Sequence, residues 1–199
     1  FAVATQWNTQ RKRTITHYNN PQFWNNNSLV VEKRAFDENP TYYQLGFDGS
    51  ESRITQSGRI VGAPNSTLSI GGGKLCWSEY DFDMRWDNRT FSVIRLFDRG
   101  NYSKPQLTNK SKYFSPALDE TGRKIVAVAT DEEQNYSLHI LGAASGVVTN
   151  RIPNPDNWFY MYPRWVTEDQ IVVVGQQGEI NELQLIDVST GQKTTIIPP

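Results

Sequence analysis

The sequence predicts an all-β chain built as a segment of a β-propeller, and three observations lead there. Short β-type runs separated by turn residues fill the 199 residues from end to end, as in Leu29–Phe36, Ile125–Ala129 and Ile171–Val174. No window carries a sustained 3.6-residue apolar stripe. One layout recurs four times at a period near 45 residues, the length of a four-stranded propeller blade.

The recurrence rests on four markers that keep one order. Apolar strands start at Leu29, Leu75, Ile125 and Ile171, and a proline precedes each, at Pro21, Pro64, Pro116 and Pro163. The following strands end at Phe47-Asp48, Phe97-Asp98, Leu141-Gly142 and Ile186-Asp187. A last short strand comes next: Arg53–Thr55, Gln106–Thr108, Arg151–Pro153 and Thr195–Ile197. A β-sandwich is the structural alternative, but it gives no reason for like units.

The predicted units are 19–58, 59–111, 112–155 and 156–199. Residues 1–18 read as the last strands of a further blade, because Asn8-Thr-Gln10 and Arg13–Thr16 repeat the ending of a unit. Four blades and a remnant make an incomplete number, and Phe1 reads as a processed or cut end. The expectation is a fragment of a six- to eight-bladed propeller. If each end face of such an arc bares about 500 Å² of apolar surface, exposure costs roughly 12 kcal/mol per face at ~25 cal/mol/Å². Coverage by further chain, by self-association with another copy, or by closure into a five-bladed ring is expected.

Composition narrows function. Twenty lysines and arginines balance 21 acids, a net charge of −1 that argues against a nucleic-acid footprint. The longest apolar runs are far too short for a membrane span. The aromatic content, 6 Trp, 9 Tyr and 9 Phe, suits strands and blade packing. Asn-x-Ser/Thr sequons at six asparagines, Asn26 to Asn135, give an asparagine-rich surface consistent with export.

No catalytic constellation is present, so the chain reads as non-enzymatic and no cofactor is expected. In Gly142-Ala-Ala-Ser-Gly146 the serine stands one place late for a nucleophile elbow, and no helix pattern follows. His17 and His139 lack partners at metal-ligand spacing and read as structural. The lone Cys76 reads as a small buried hydrophobe. Gly71-Gly-Gly73 lacks the lysine-serine context of a phosphate loop and reads as a flexible hairpin turn.

Two clusters remain as partner-binding candidates. Asp81-Phe-Asp-Met-Arg-Trp-Asp87 forms the longest loop inside a unit, and Arg85 with Trp86 are residue types favoured at interface hot spots. Asp81, Asp83 and Asp87 are also a weak calcium candidate, without the glycine and terminal glutamate of the standard loop. In Trp158-Phe-Tyr-Met-Tyr-Pro-Arg-Trp165, alternation sends Trp158, Tyr160 and Tyr162 one way, with Arg164 close by. The competing readings are packing of the first cluster's aromatics on their own blade and blade-to-blade packing of the second cluster.

The third and fourth units carry a family resemblance. Tyr113-Phe-Ser-Pro-Ala-Leu-Asp-Glu-Thr-Gly-Arg-Lys-Ile-Val-Ala127 resembles the Ser-Pro-x-Ile/Leu stretch of TolB-type, WD-like propeller repeats. Leu183-Gln-Leu-Ile-Asp-Val-Ser-Thr-Gly191 resembles that family's strand ending in Asp-x-x-Thr-Gly. The chain departs from the family's Asp-Gly turns at Glu120-Thr-Gly122 and Glu168-Asp-Gln170. The run Trp77–Trp86 is similar to a stretch of large envelope-associated bacterial proteins that carry such propellers.

The resemblance implies a protein-binding or scaffolding propeller module of a bacterial envelope protein, located in the periplasm. No functional residue of the family maps specifically onto this chain. Two alternatives stay open: the substrate-gating propeller of a prolyl-oligopeptidase-like serine peptidase whose catalytic domain lies outside this chain, and a carbohydrate-binding propeller.

Overall fold

A computed structural model of the chain describes residues 16–36, 38–57, 68–83, 85 and 90–197. Among these residues every regular element is a strand, and the strands form four antiparallel sheets. The chain divides into two compact units, Phe1–Val61 and Gly62–Pro199.

The first unit holds one sheet of β1 (Thr16–Asn25), β2 (Ser28–Ala35), β3 (Glu38–Gly46) and β4 (Glu51–Gln56) in sequential order. Val30, Val31, Tyr42 and Leu45 are its buried apolar side chains. Glu32 is fully buried beside them and takes Arg34 Nη2 at 2.9 Å and Ser57 Oγ at 3.5 Å. Burial pushes its carboxyl above the usual range, and the Arg34 guanidinium opposes that rise. The remnant blade expected over 1–18 lies outside the described residues except for Thr16, His17 and Tyr18. These three belong to β1 instead, paired in register with Ala35, Arg34 and Lys33 of β2.

The second unit holds three sheets. The first of them contains β5 (Ser69–Gly71), β6 (Lys74–Phe82) and β7 (Thr90–Asp98). The strand expected at Gln106–Thr108 is reduced to an irregular segment laid along β7. It bridges Arg95 to Gln106 and Asp98 to Ser103, and the Leu107 amide donates to Ile94 at 2.8 Å. Thr108 explains part of the irregularity, because its hydroxyl takes the Ile94 amide in place of a ladder carbonyl.

The middle sheet contains β8 (Tyr113–Leu118), β9 (Lys124–Thr130), β10 (Tyr136–Gly142) and β11 (Val148–Ile152). The last contains β12 (Phe159–Trp165), β13 (Gln170–Gln177), β14 (Ile180–Asp187) and β15 (Lys193–Ile197). The middle sheet is covered on both faces, which is why β9 is an unbroken apolar run. Ile125 and Ala127 pack against Cys76, Ile94 and Leu96 of the first sheet. Val126 and Val128 pack with Ile171, Val173 and Ile186 of the last. The opposite face of the last sheet, with Val172, Val174, Leu183 and Leu185, is half-buried.

The recurring prolines have a shared structural role. Pro21, Pro116 and Pro163 each sit in a β-bulge of the edge strand that opens a sheet, where the register shifts against its neighbour. An edge bulge is where a residue without an N–H costs no ladder bond. Each is preceded by a residue with positive φ: Asn20 at 51°, Ser115 at 47° and Tyr162 at 52°. Pro64 lies outside the described residues.

Candidate functional site

Each sheet of the second unit runs as an up-and-down meander, so its second strand finishes at the same end as its third begins. There β6 hands over to β7 across 83–89, β9 to β10 across 131–135, and β13 to β14 at Gly178-Glu179. The connections into β8 and β12, 109–112 and 153–158, arrive at that end too.

Two adjoining cavities open there. One, of about 440 Å³, is lined by aromatic rings from all three sheets: Tyr80 and Phe91, Phe114 and Tyr136, Phe159 and Tyr160. The other, of about 490 Å³, is lined by Lys110, Tyr113, Glu132 and His139 among others. They share Thr90, Phe91, Lys112, Thr130 and Asp131. Tyr136 and Phe159 meet edge to face across the last two sheets, with ring centroids 5.0 Å apart. The Tyr136 amide donates to Asn157 Oδ1 at 2.8 Å, and Asn154 Nδ2 donates to the Tyr136 carbonyl at 3.0 Å. Asparagine side chains from the incoming connection thus hold this wall of the cavity in place.

The polar lining is largely committed to its own scaffold. Asp131 accepts the amides of Glu133 and Asn135 on Oδ1, and Asn135 Nδ2 on Oδ2. These bonds, the Asn135 side chain first, hold its carboxyl below the usual range. Tyr113 Oη and His139 Nδ1 are 2.9 Å apart, their rings edge to face. Burial, then the nearby Arg151 guanidinium, holds the imidazole below its ordinary pKa. Tyr160 differs: it is 1 % exposed, and its hydroxyl has no partner among the described residues. Burial raises its pKa, and the Asp156 carboxylate adds to the rise. Lys193 Nζ lies 5.5 Å from the centre of its ring.

The sequence-derived candidates fall in different places. Tyr160 lines the aromatic cavity. Trp158 stands beside it, half-buried, against the last two sheets' core. Tyr162 does not share Tyr160's environment as alternation predicts. The bulge at Tyr162-Pro163 inserts a residue, so Tyr160 is core while Tyr162 is 45 % exposed. Arg164, beyond that bulge, donates from Nη1 to the Pro163 carbonyl at 2.9 Å and lines neither cavity. Arg85 is exposed, and its amide donates to Asp83 Oδ1 at 2.9 Å. Trp86 and Asp87 lie outside the described residues, so the calcium candidate is described only at Asp81 and Asp83. Among the described residues no three His, Cys, Asp or Glu side chains group as a metal site. No helix among them is long and apolar enough to cross a membrane.

Sequence reasoning missed Tyr80, Phe91, Phe114, Tyr136 and Phe159. The signal was there: all five are aromatic and sit within the first or last three residues of a strand. Only the sheet stacking brings those ends together.

Comparisons with known proteins bear on the fold. No protein-family model matches the chain, and no curated protein matches it. Among solved structures, TolB from Acinetobacter baumannii matches with a TM-score of 0.68 at 19 % identity, over 91 % of this chain and 43 % of its own. A putative TolB from Agrobacterium tumefaciens matches with a TM-score of 0.64 at 15 % identity, over 86 % of this chain and 64 % of its own. The β-propeller domain of the Trilobed protease from Pyrococcus furiosus gives 0.58 at 14 % identity, over 92 % and 58 %. The chain therefore spans less than two thirds of the length of each. At these identities the likeness is one of architecture: the chain has a TolB-like β-propeller fold.

Proposed function

We propose that the chain is a non-catalytic binding module that engages a protein partner at the end of the second unit where the two cavities open. One observation carries the reading: six aromatic side chains from three successive sheets converge on a single cavity of about 440 Å³. A concave surface of aromatic rings and polar side chains, held on strands, is what a recognition site requires. The committed hydrogen bonds of Asp131 and the Tyr113–His139 pair favour binding over proton-transfer chemistry. Arg85 stands at the same end and is available to a large partner. An extracytoplasmic, envelope-associated location belongs to the same proposal, supported by the likeness to TolB.

The test is selection of a random peptide library on the purified chain, with binders re-measured on Tyr80→Ala and Phe159→Ala. Circular dichroism verifies that both variants keep their strands. Peptides that lose at least about tenfold in affinity on both variants support the cavity as the site. Peptides that bind all three proteins equally overturn it.

A further inference from the structure

We infer that the cavity pair receives a basic, extended peptide segment, with an arginine or lysine side chain entering the aromatic lining. The inference rests on the binding-module reading above and names the partner's chemistry.

The first ground is the lining itself. Tyr80, Phe91, Phe114, Tyr136 and Phe159 line the cavity. A cation over the faces of such rings is attracted by the ring quadrupole, and more strongly as water is excluded. A guanidinium also stacks flat on them, which an ammonium does not.

The second ground is the charge at this end of the sheets. Asp81, Asp83, Glu132, Glu133, Asp156 and Glu179 stand on its strand ends and connections. Arg85, Lys110 and Lys112 oppose them there, with Arg151 beside His139 and Lys193 over the Tyr160 ring. Lys112 lines both cavities, and the six carboxylates exceed these five cations by one before Asp131 is counted. Asp131 adds to the excess, because its hydrogen bonds keep it ionised. The chain as a whole is nearly neutral, so this excess is local.

The experiment measures fluorescence anisotropy of three labelled peptides of one length and one aromatic content: an arginine-rich, a glutamate-rich and an uncharged one. The expected result is that the arginine peptide binds at least about tenfold tighter than the uncharged one at roughly 50 mM salt, and weakens steeply toward about 500 mM. The exposed double variant Glu133→Lys with Glu179→Lys, which disturbs no core contact, is expected to weaken it by about tenfold or more. Phe159→Ala is expected to abolish it. Equal binding of the uncharged peptide, still lost in Phe159→Ala, overturns the charge preference and leaves the binding module standing. Preference for the glutamate peptide overturns the inference as well. If no peptide binds and library selection returns none, the inference and the binding module fall together.

Discussion

The amide of Gly72 donates to the carbonyl of Glu120 at 2.9 Å, joining the first hairpin of one sheet to the first turn of the next. Lys74 Nζ adds a bond to the Gly122 carbonyl at 2.8 Å, and Ser69 Oγ accepts the Leu118 amide at 2.9 Å. The stacking of these two sheets therefore depends on backbone approach as well as on the Cys76–Ile125 core.

Gly72 and Gly73 separate two effects. Both have positive φ, 53° and 74°. A β-carbon at Gly72 overlaps the Thr121 carbonyl oxygen, whereas one at Gly73 meets nothing within 4 Å. Gly73→Ala is expected to cost about 1 kcal/mol, the strain of the left-handed region alone. Gly72→Ala is expected to cost about 3 kcal/mol, because the hairpin must also back away from the neighbouring turn. Urea unfolding of the two variants checks the difference, and equal costs contradict the close-approach account.

This hairpin illustrates what was legible in the sequence. The apolar second strands and the turns at Asp48-Gly49, Gly71–Gly73, Thr121-Gly122 and Thr190-Gly191 follow from apolar runs and turn residues, and the structure has them. The triple glycine reads from sequence as flexibility, because nothing local reveals that Thr121 and Gly122 press against it from the next sheet. Likewise Tyr162 reads as Tyr160's companion, because a bulge is invisible to alternation. The Ser-Pro and Tyr-Pro pairs mark those bulges, but only register shows that they do. The cavity was the least legible part: Tyr80, Phe114 and Phe159 are far apart in the chain, and each alone is an ordinary strand aromatic.

A half-buried ion pair braces the first sheet of the second unit. Glu79 accepts Trp77 Nε1 at 2.7 Å and Arg95 Nε at 3.0 Å. Trp77 is fully buried and Glu79 is 7 % exposed. Glu79→Ala removes the acceptor for both donors at once and is expected to cost about 3 kcal/mol. Glu79→Gln keeps an acceptor for the indole and is expected to retain roughly half of that. Chemical denaturation of both variants decides; a harmless alanine argues that the pair is ornamental.

Cys76 is fully buried in the core between two sheets, and desolvation pushes its thiol up to about 12. At neutral pH it is protonated and shielded, so it is neither nucleophilic nor accessible. Labelling with a thiol reagent is expected to be negligible in buffer and to appear along the same denaturant curve as loss of β-structure. Rapid labelling of the native protein contradicts this packing.

Asp187 organises the turn between β14 and β15. Its Oδ1 accepts the Ser189 amide at 3.0 Å, the Thr190 amide at 2.8 Å and both hydroxyls, at 2.7 and 2.8 Å. These bonds, the Ser189 hydroxyl first, lower its pKa to about 2. The Asp-x-x-Thr-Gly motif is thus turn chemistry, closed by Gly191 at a φ of 71°. The stabilisation is present above the unfolded carboxylate range near 4 and is lost as pH falls through about 2. Asp187→Asn is expected to lower the unfolding midpoint at pH 7, with the gap to wild type closing at the acid extreme. A gap that stays constant down to that extreme removes the ionised carboxylate from the account.

His139 works in the same direction at milder pH. Its imidazole is held below the ordinary value near 6.5 by burial first and by Arg151 second. In the window below 6.5, the unfolded chain binds a proton that the folded chain refuses. Stability is therefore full above about 6.5 and declines as pH falls toward the folded value. In the tautomer with the proton on Nε2, Nδ1 accepts from Tyr113 Oη at 2.9 Å, and protonation of Nδ1 removes that acceptor. His139→Gln offers Tyr113 a side-chain carbonyl without a titrating group. The expected result is that urea midpoints of the wild type drop between about pH 8 and pH 5, while the glutamine variant drops measurably less. His17 is exposed and common to both proteins, so it does not enter the difference. Equal drops in the two proteins shift the acid sensitivity to other groups and sever it from the wall of the second cavity.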